Sequence, residues 1–150
     1  MWVIGGMLMA FTTITDSVEN PENVKELSGY QLREKEFLVS DYNLWVNTNE
    51  DAFNKTFIAD SDGVARPRFD EDWVLAAKVE TQSHFYSVKF KKVVGEGNAL
   101  HVYFGVQKPG KGYAVKPVSI VMAPKNREIR KVNFYHDNML VRSVPIGLVY

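Results

Sequence analysis

With 150 residues, 45% of them hydrophobic and 24% charged, the chain is sized and composed for one globular domain rather than a disordered segment. Eighteen basic residues balance eighteen acidic ones, so the electrostatic footprint of a nucleic-acid binder is missing. The absence of cysteine excludes disulfides, thiolate metal sites and a cysteine nucleophile.

Trp2 to Phe11 is an apolar run without a charge, followed by the polar Thr12 to Ser17. It is too short to span a bilayer and matches the apolar region of a secretory signal. No basic residue precedes the run and no good small-x-small cleavage site follows it. Residues 1–17 read as a signal segment, complete or begun inside a longer one, in preference to a buried N-terminal strand, which Gly5-Gly6 suits poorly. The chain is therefore expected to be exported, to the periplasm or cell surface, with no stable transmembrane anchor. Residues 18–29 form a polar lead-in, with Pro21 placed as at a helix start, and residues 30–150 read as a single mainly-β domain.

Within that domain, Tyr30 to Ser40 is expected to give the first strand, its buried run being Phe37-Leu38-Val39. Thr48-Asn49-Glu50-Asp51 offers a capping hydroxyl and early carboxylates, which predicts a short helix with Ala52, Phe53 and Phe57 on one face. Asp60 to Gly63 ends it, and Pro67 keeps the approach to Trp73 extended. Trp73 to Val79 is apolar on both faces until Lys78, the pattern of a central, doubly covered strand. His84 to Val94 alternates, with Tyr86, Val88 and Phe90 on one side and Ser87, Lys89 and Lys91 on the other. Gly95 to Asn98 is a turn. Ala99 to Val106 returns with Leu100, Val102, Phe104 and Val106 inward, and His101 and Tyr103 outward. A second turn falls at Pro109 to Gly112, and Val118, Ile120 and Met122 share one face of the next strand. Pro117 marks the beginning or the edge of that strand. Ile129 to Tyr135, a reversal at His136 to Asn138, and Met139 to Val144 complete a β-sandwich or half-barrel of antiparallel strands with one short helix inserted early.

Few residues carry chemistry. His84, His101 and His136 are scattered singly, and no carboxylate at ligand spacing completes a metal site around them. Asp60-Ser61-Asp62-Gly63 resembles the opening of a calcium loop, but its glycine falls at the fourth position rather than the sixth and Pro67 interrupts it. No serine lies in Gly-x-Ser-x-Gly or Ser-x-x-Lys, and the adjacent carboxylates Asp70 to Asp72 lack the separation a glycosidase needs. The expectation is a protein without catalytic residues, cofactor or metal.

The order of features resembles the C-terminal domain of the protease complex subunit PrcB family. Ala52 to Phe57 is similar to the family's short aromatic helix, Pro67-Arg68-Phe69-Asp70 to its strand entrance, and Trp73 to Ala77 to its first strand. Tyr86 to Phe90 matches the strand after the family's glycine turn, Leu100 to Tyr103 its Leu-x-Val strand, and Lys108-Pro109-Gly110 the later turn; Val118 to Pro124 completes the likeness. It covers roughly half the chain, from Phe53 to Pro124. Where the family has Thr-Gly-Gly before its tyrosine, this chain has Ser83-His84-Phe85 before Tyr86. The resemblance implies an exported, non-catalytic envelope protein that binds or stabilises a protein partner, in the type case a surface protease.

Taken with the residues, this places a protein–protein contact at one end of the meander, in the loops Gln82–Phe85 and Gln107–Tyr113. The partner-binding residues expected there are Phe85, Tyr86, Lys108, Lys111 and Tyr113, because aromatics in loops contribute disproportionately to binding. The alternative is a carbohydrate- or glycan-binding envelope module, which would need exposed coplanar aromatics such as Tyr103 and Tyr135.

Overall fold

The structure is a computed structural model that describes residues 24–33, 41–80, 85–108 and 118–147. The signal segment, the Phe37-Leu38-Val39 run, the turn at Pro109–Gly112 and Pro117 lie outside the described residues. Among the described residues ten strands and one helix follow in order: β1 (Lys25–Glu26), β2 (Tyr30–Leu32), β3 (Tyr42–Asn47), α1 (Glu50–Thr56), β4 (Phe57–Ala59), β5 (Asp72–Glu80), β6 (Phe85–Glu96), β7 (Ala99–Gln107), β8 (Ser119–Pro124), β9 (Lys131–His136) and β10 (Met139–Pro145). The chain is mainly β, as its composition and alternation require. No helix among the described residues is long and apolar enough to cross a membrane.

Eight of the strands form one hydrogen-bonded sheet, ordered β1-β8-β5-β6-β7-β9-β10, with β3 on the other edge of β5. The sheet turns over at β6. Among the described residues that strand pairs with β5 at Val79↔Tyr86 and Glu80↔Phe85, then leaves to pair with β7 from Ser87 onward. The two halves pack face to face as a sandwich. Leu44, Leu75, Ala77 and Val121 of the first half meet Val102, Phe104, Val132 and Phe134 of the second in one core. Residues facing the other way from the first half, Val74, Ala76 and Ile120, pack under α1 and a small β2–β4 ladder, against Phe53, Phe57 and Tyr30.

The molecule is thus three layers deep, and β5 lies in the middle one. Val74, Leu75, Ala76 and Ala77 are wholly excluded from solvent, which is why the sequence there is apolar without alternation. Phe53, Phe57, Phe104 and Phe134 are the largest fully buried side chains, each contributing roughly 2 kcal/mol by area removed from water.

Several expectations are corrected. The helix is capped by the amide of Asn49, whose side chain accepts from the Ala52 N–H at 2.8 Å, rather than by the Thr48 hydroxyl. It stops at Thr56, and Phe57 opens β4 with extended backbone while still meeting Phe53 at 5.2 Å between ring centroids. Lys25–Glu26, in the polar lead-in, adds a short strand to β8. Tyr42–Asn47 is a strand beside β5 that the sequence reading passed over, because its asparagines disfavour strands in isolation. The strands are not all antiparallel. β8 crosses to the first half of the sandwich, between β1 and β5, so β9 returns parallel to β7, from Ala99↔Lys131 to Phe104↔His136.

Candidate functional site: the outer face of the second half-sheet

Alternation on β7 and β9 buries Leu100, Val102, Phe104, Val132 and Phe134, and so turns His101, Tyr103, Asn133 and Tyr135 to the opposite face. Pairing aligns these outward side chains into cross-strand rows. The middle row runs Lys92, Tyr103, Tyr135, Leu140 across β6, β7, β9 and β10. The two tyrosine rings stack at 4.5 Å with 11° between their planes, and the Lys92 ammonium lies 4.4 Å from the Tyr103 ring centre. In the neighbouring row His101 Nδ1 meets the Tyr135 hydroxyl at 2.8 Å, and the Ser143 hydroxyl donates to Asn133 Oδ1 at 2.5 Å. Burial holds the Tyr103 hydroxyl above the ordinary tyrosine pKa, with Tyr135 and Glu96 adding to the effect.

The third row depends on a bulge and a glycine. The register of β6 slips between Phe90 and Lys92, and the extra residue, Lys91, reaches across β7 to Asp137 at 2.8 Å. Its path crosses Gly105, where a Cβ would come within 2.7 Å of the Lys91 Cε. The hydrogen bond from Lys91 holds the Asp137 carboxyl below the usual carboxylate range. Asp137 itself has a φ of 53°, the left-handed conformation of the tight β9–β10 turn.

At that turn the face meets one end of the sandwich. Tyr42 at the start of β3 bonds His136 Nδ1 through its hydroxyl at 2.7 Å, and His136 stacks on Phe104 with 8° between the planes. Burial raises the Tyr42 pKa, and the negative charges of Asp41 and Asp137 raise it further. Arg142 donates to the Tyr42 carbonyl at 3.1 Å. Beside these fixed groups Met139 and Leu140 stand open to solvent, 59% and 52% exposed, although both are large and apolar.

The residues expected from sequence are only partly described. Phe85 is the first residue of β6, opposite Glu80. Tyr86 packs half-buried against the inter-sheet core, and Lys108 is exposed just beyond β7. The pairing Ser87↔Gln107 brings Tyr86 and Lys108 to one end of the meander, and the parallel β7–β9 pairing sets the His136–Met139 turn at that same end. Lys111 and Tyr113, with Gln82 to His84, lie outside the described residues. Tyr103 and Tyr135 are parallel but stacked on one another rather than coplanar, and Lys92 covers Tyr103 from the neighbouring strand. Lys91–Asp137, Tyr42–His136 and the Met139–Leu140 ledge have no motif in the sequence. The visible signals were a glycine inside an otherwise regular strand and two apolar residues directly after a turn.

A second concavity, of about 650 Å³, opens beside β4 and carries charges of both signs, Arg33 and Arg66 with Asp60 and Asp62. Both arginines are engaged there on Asn54. Among the described residues no group of three or more His, Cys, Asp or Glu could hold a metal ion. Comparison with known proteins finds no matching family model, no matching curated protein and no matching solved structure.

Proposed function

We propose that this chain is a non-catalytic accessory protein that works by holding a protein partner, and that the outer face of β6, β7, β9 and β10 is where it does so. The observation that carries the reading is the row Lys92, Tyr103, Tyr135, Leu140. Its aromatic members are already fixed by stacking and by the His101 hydrogen bond, and it ends in an apolar side chain left in solvent. Tyrosine offers wide contact area at small entropic cost, and pre-ordered side chains lose little freedom on binding. A sugar would need a free ring face, and Tyr103 is stacked on Tyr135 and covered by Lys92, so the protein-partner reading fits the face better than the glycan one. An exported, envelope setting and a surface protease as partner belong to the same proposal; the first rests on the apolar Trp2–Phe11 run and the PrcB resemblance, the second on the resemblance alone.

The test is crosslinking mass spectrometry of the tagged protein in an envelope extract, beside a Leu140→Ser, Tyr135→Ala variant of unchanged fold by circular dichroism. A single protein crosslinked through Lys89, Lys92 or Lys108, and lost in the variant, is the expected result. Crosslinks that are the same in both would refute the reading.

A further inference from the structure

Building on the partner-binding reading, we infer that this sheet face takes an acidic segment of its partner. The chain is neutral as a whole, but its charge is segregated. Residues 41–80 hold nine Asp and Glu against four Lys and Arg. The ranges 85–107 and 131–145, which supply β6, β7, β9, β10 and their two tight turns, hold five Lys and Arg against Glu96 and Asp137. Within the outer face, Lys91 is neutralised by Asp137, whereas Lys89, Lys92 and Lys131 have no carboxylate partner among the described residues. Lys92 lies over Tyr103 itself, while Lys89 opposite Gly105 is one cross-strand row from the Tyr103–Tyr135 stack and Lys131 opposite Ala99 is two rows away on the other side. A complementary segment would therefore interleave carboxylates with apolar side chains.

The face, rather than the edge, is the docking element. Among the described residues β10 is the edge strand of the sheet; a register shift against β9 between Leu140 and Arg142 bends it, and it ends at Pro145. Such devices discourage the addition of another strand. Attraction between a basic face and an acidic segment would act mainly on selection of the partner and on its rate of encounter, and it would weaken with salt.

The probe is a short fluorescein-labelled peptide alternating glutamate with leucine and tyrosine, compared by fluorescence anisotropy with the same peptide carrying glutamine for glutamate. The acidic peptide should bind roughly tenfold more tightly than its glutamine counterpart, lose that advantage in high salt, and lose it in a Lys89→Glu, Lys131→Glu variant. Both lysines are exposed, so this variant leaves the tyrosine stack and the core intact. Equal binding of the two peptides, abolished by Leu140→Ser, would overturn the acidic preference and leave the partner-binding reading standing. Acidic-peptide binding that survives the charge reversal, or that double-stranded DNA displaces at equal charge concentration, would overturn the assignment to this face or to a protein partner. Failure of both peptides to bind would overturn the inference, while the crosslinking result decides the partner-binding reading separately.

Discussion

Gly105 is the residue on which the third row turns. Without a Cβ it lets Lys91 lie flat across β7, and with one the Lys91 chain must lift away from Asp137. Gly105→Ala should therefore leave the fold in place but return the Asp137 carboxyl toward its ordinary pKa, measured by NMR titration. Lys91→Met should do the same without touching the backbone. The sign of the linked stability effect follows from the lowered folded pKa. The contribution of this carboxylate is present above the unfolded pKa of about 3.9 and is lost as pH falls through the folded value, so Lys91→Met should flatten the acid limb of a melting-temperature profile. Asn47 presents a different case. It is 4% exposed at the end of β3, and its Nδ2 has no hydrogen-bond partner among the described residues. A buried donor left unpaired costs about 1–3 kcal/mol, so Asn47→Leu should be neutral or stabilising in urea denaturation, against the usual expectation for a buried substitution.

At the scale of elements, α1 is only seven residues long, too short to persist by propensity, and so its ends and its buried face decide whether it forms. Asn49→Ala should cost about 1 kcal/mol by equilibrium denaturation, and Asn49→Ser much less. The helix was legible in sequence because carboxylates and Phe53 follow a capping group at the right spacing. Its end was not, because Phe57 continues the helical spacing while its backbone is already extended, φ −120°. The strands whose apolar residues alternate, β6, β7 and β9, were legible down to which side chains face out. β3 was not, since Asn43 and Asn47 look like loop residues until tertiary packing buries them. The outer rows were half legible. Alternation places His101, Tyr103 and Tyr135 outward, but which of them become neighbours depends on the parallel β7–β9 register, and no local pattern encodes a pairing made through a crossover.

For the molecule as a whole, the three-layer arrangement makes β5 the last element to open. Its amides from Val74 to Ala77 are paired to β3 on one edge and β8 on the other, under side chains buried on both faces. Native-state hydrogen exchange should find these amides exchanging only through global unfolding, while the outer β10 strand exchanges through local opening. Faster exchange at β5 than at β7 would contradict the layering.

The place of β8 carries a consequence for the order in which the chain can be built. β5 leaves the ribosome with one edge waiting for residues 119–124, some forty positions further on, and β1 has no strand to join until those residues arrive. A nascent chain that stops before β8 therefore holds its most apolar strand with an open edge, a template for pairing with any other chain nearby. Slow synthesis between β7 and β8 should raise aggregation, and chaperone occupancy should fall abruptly once Pro124 has emerged.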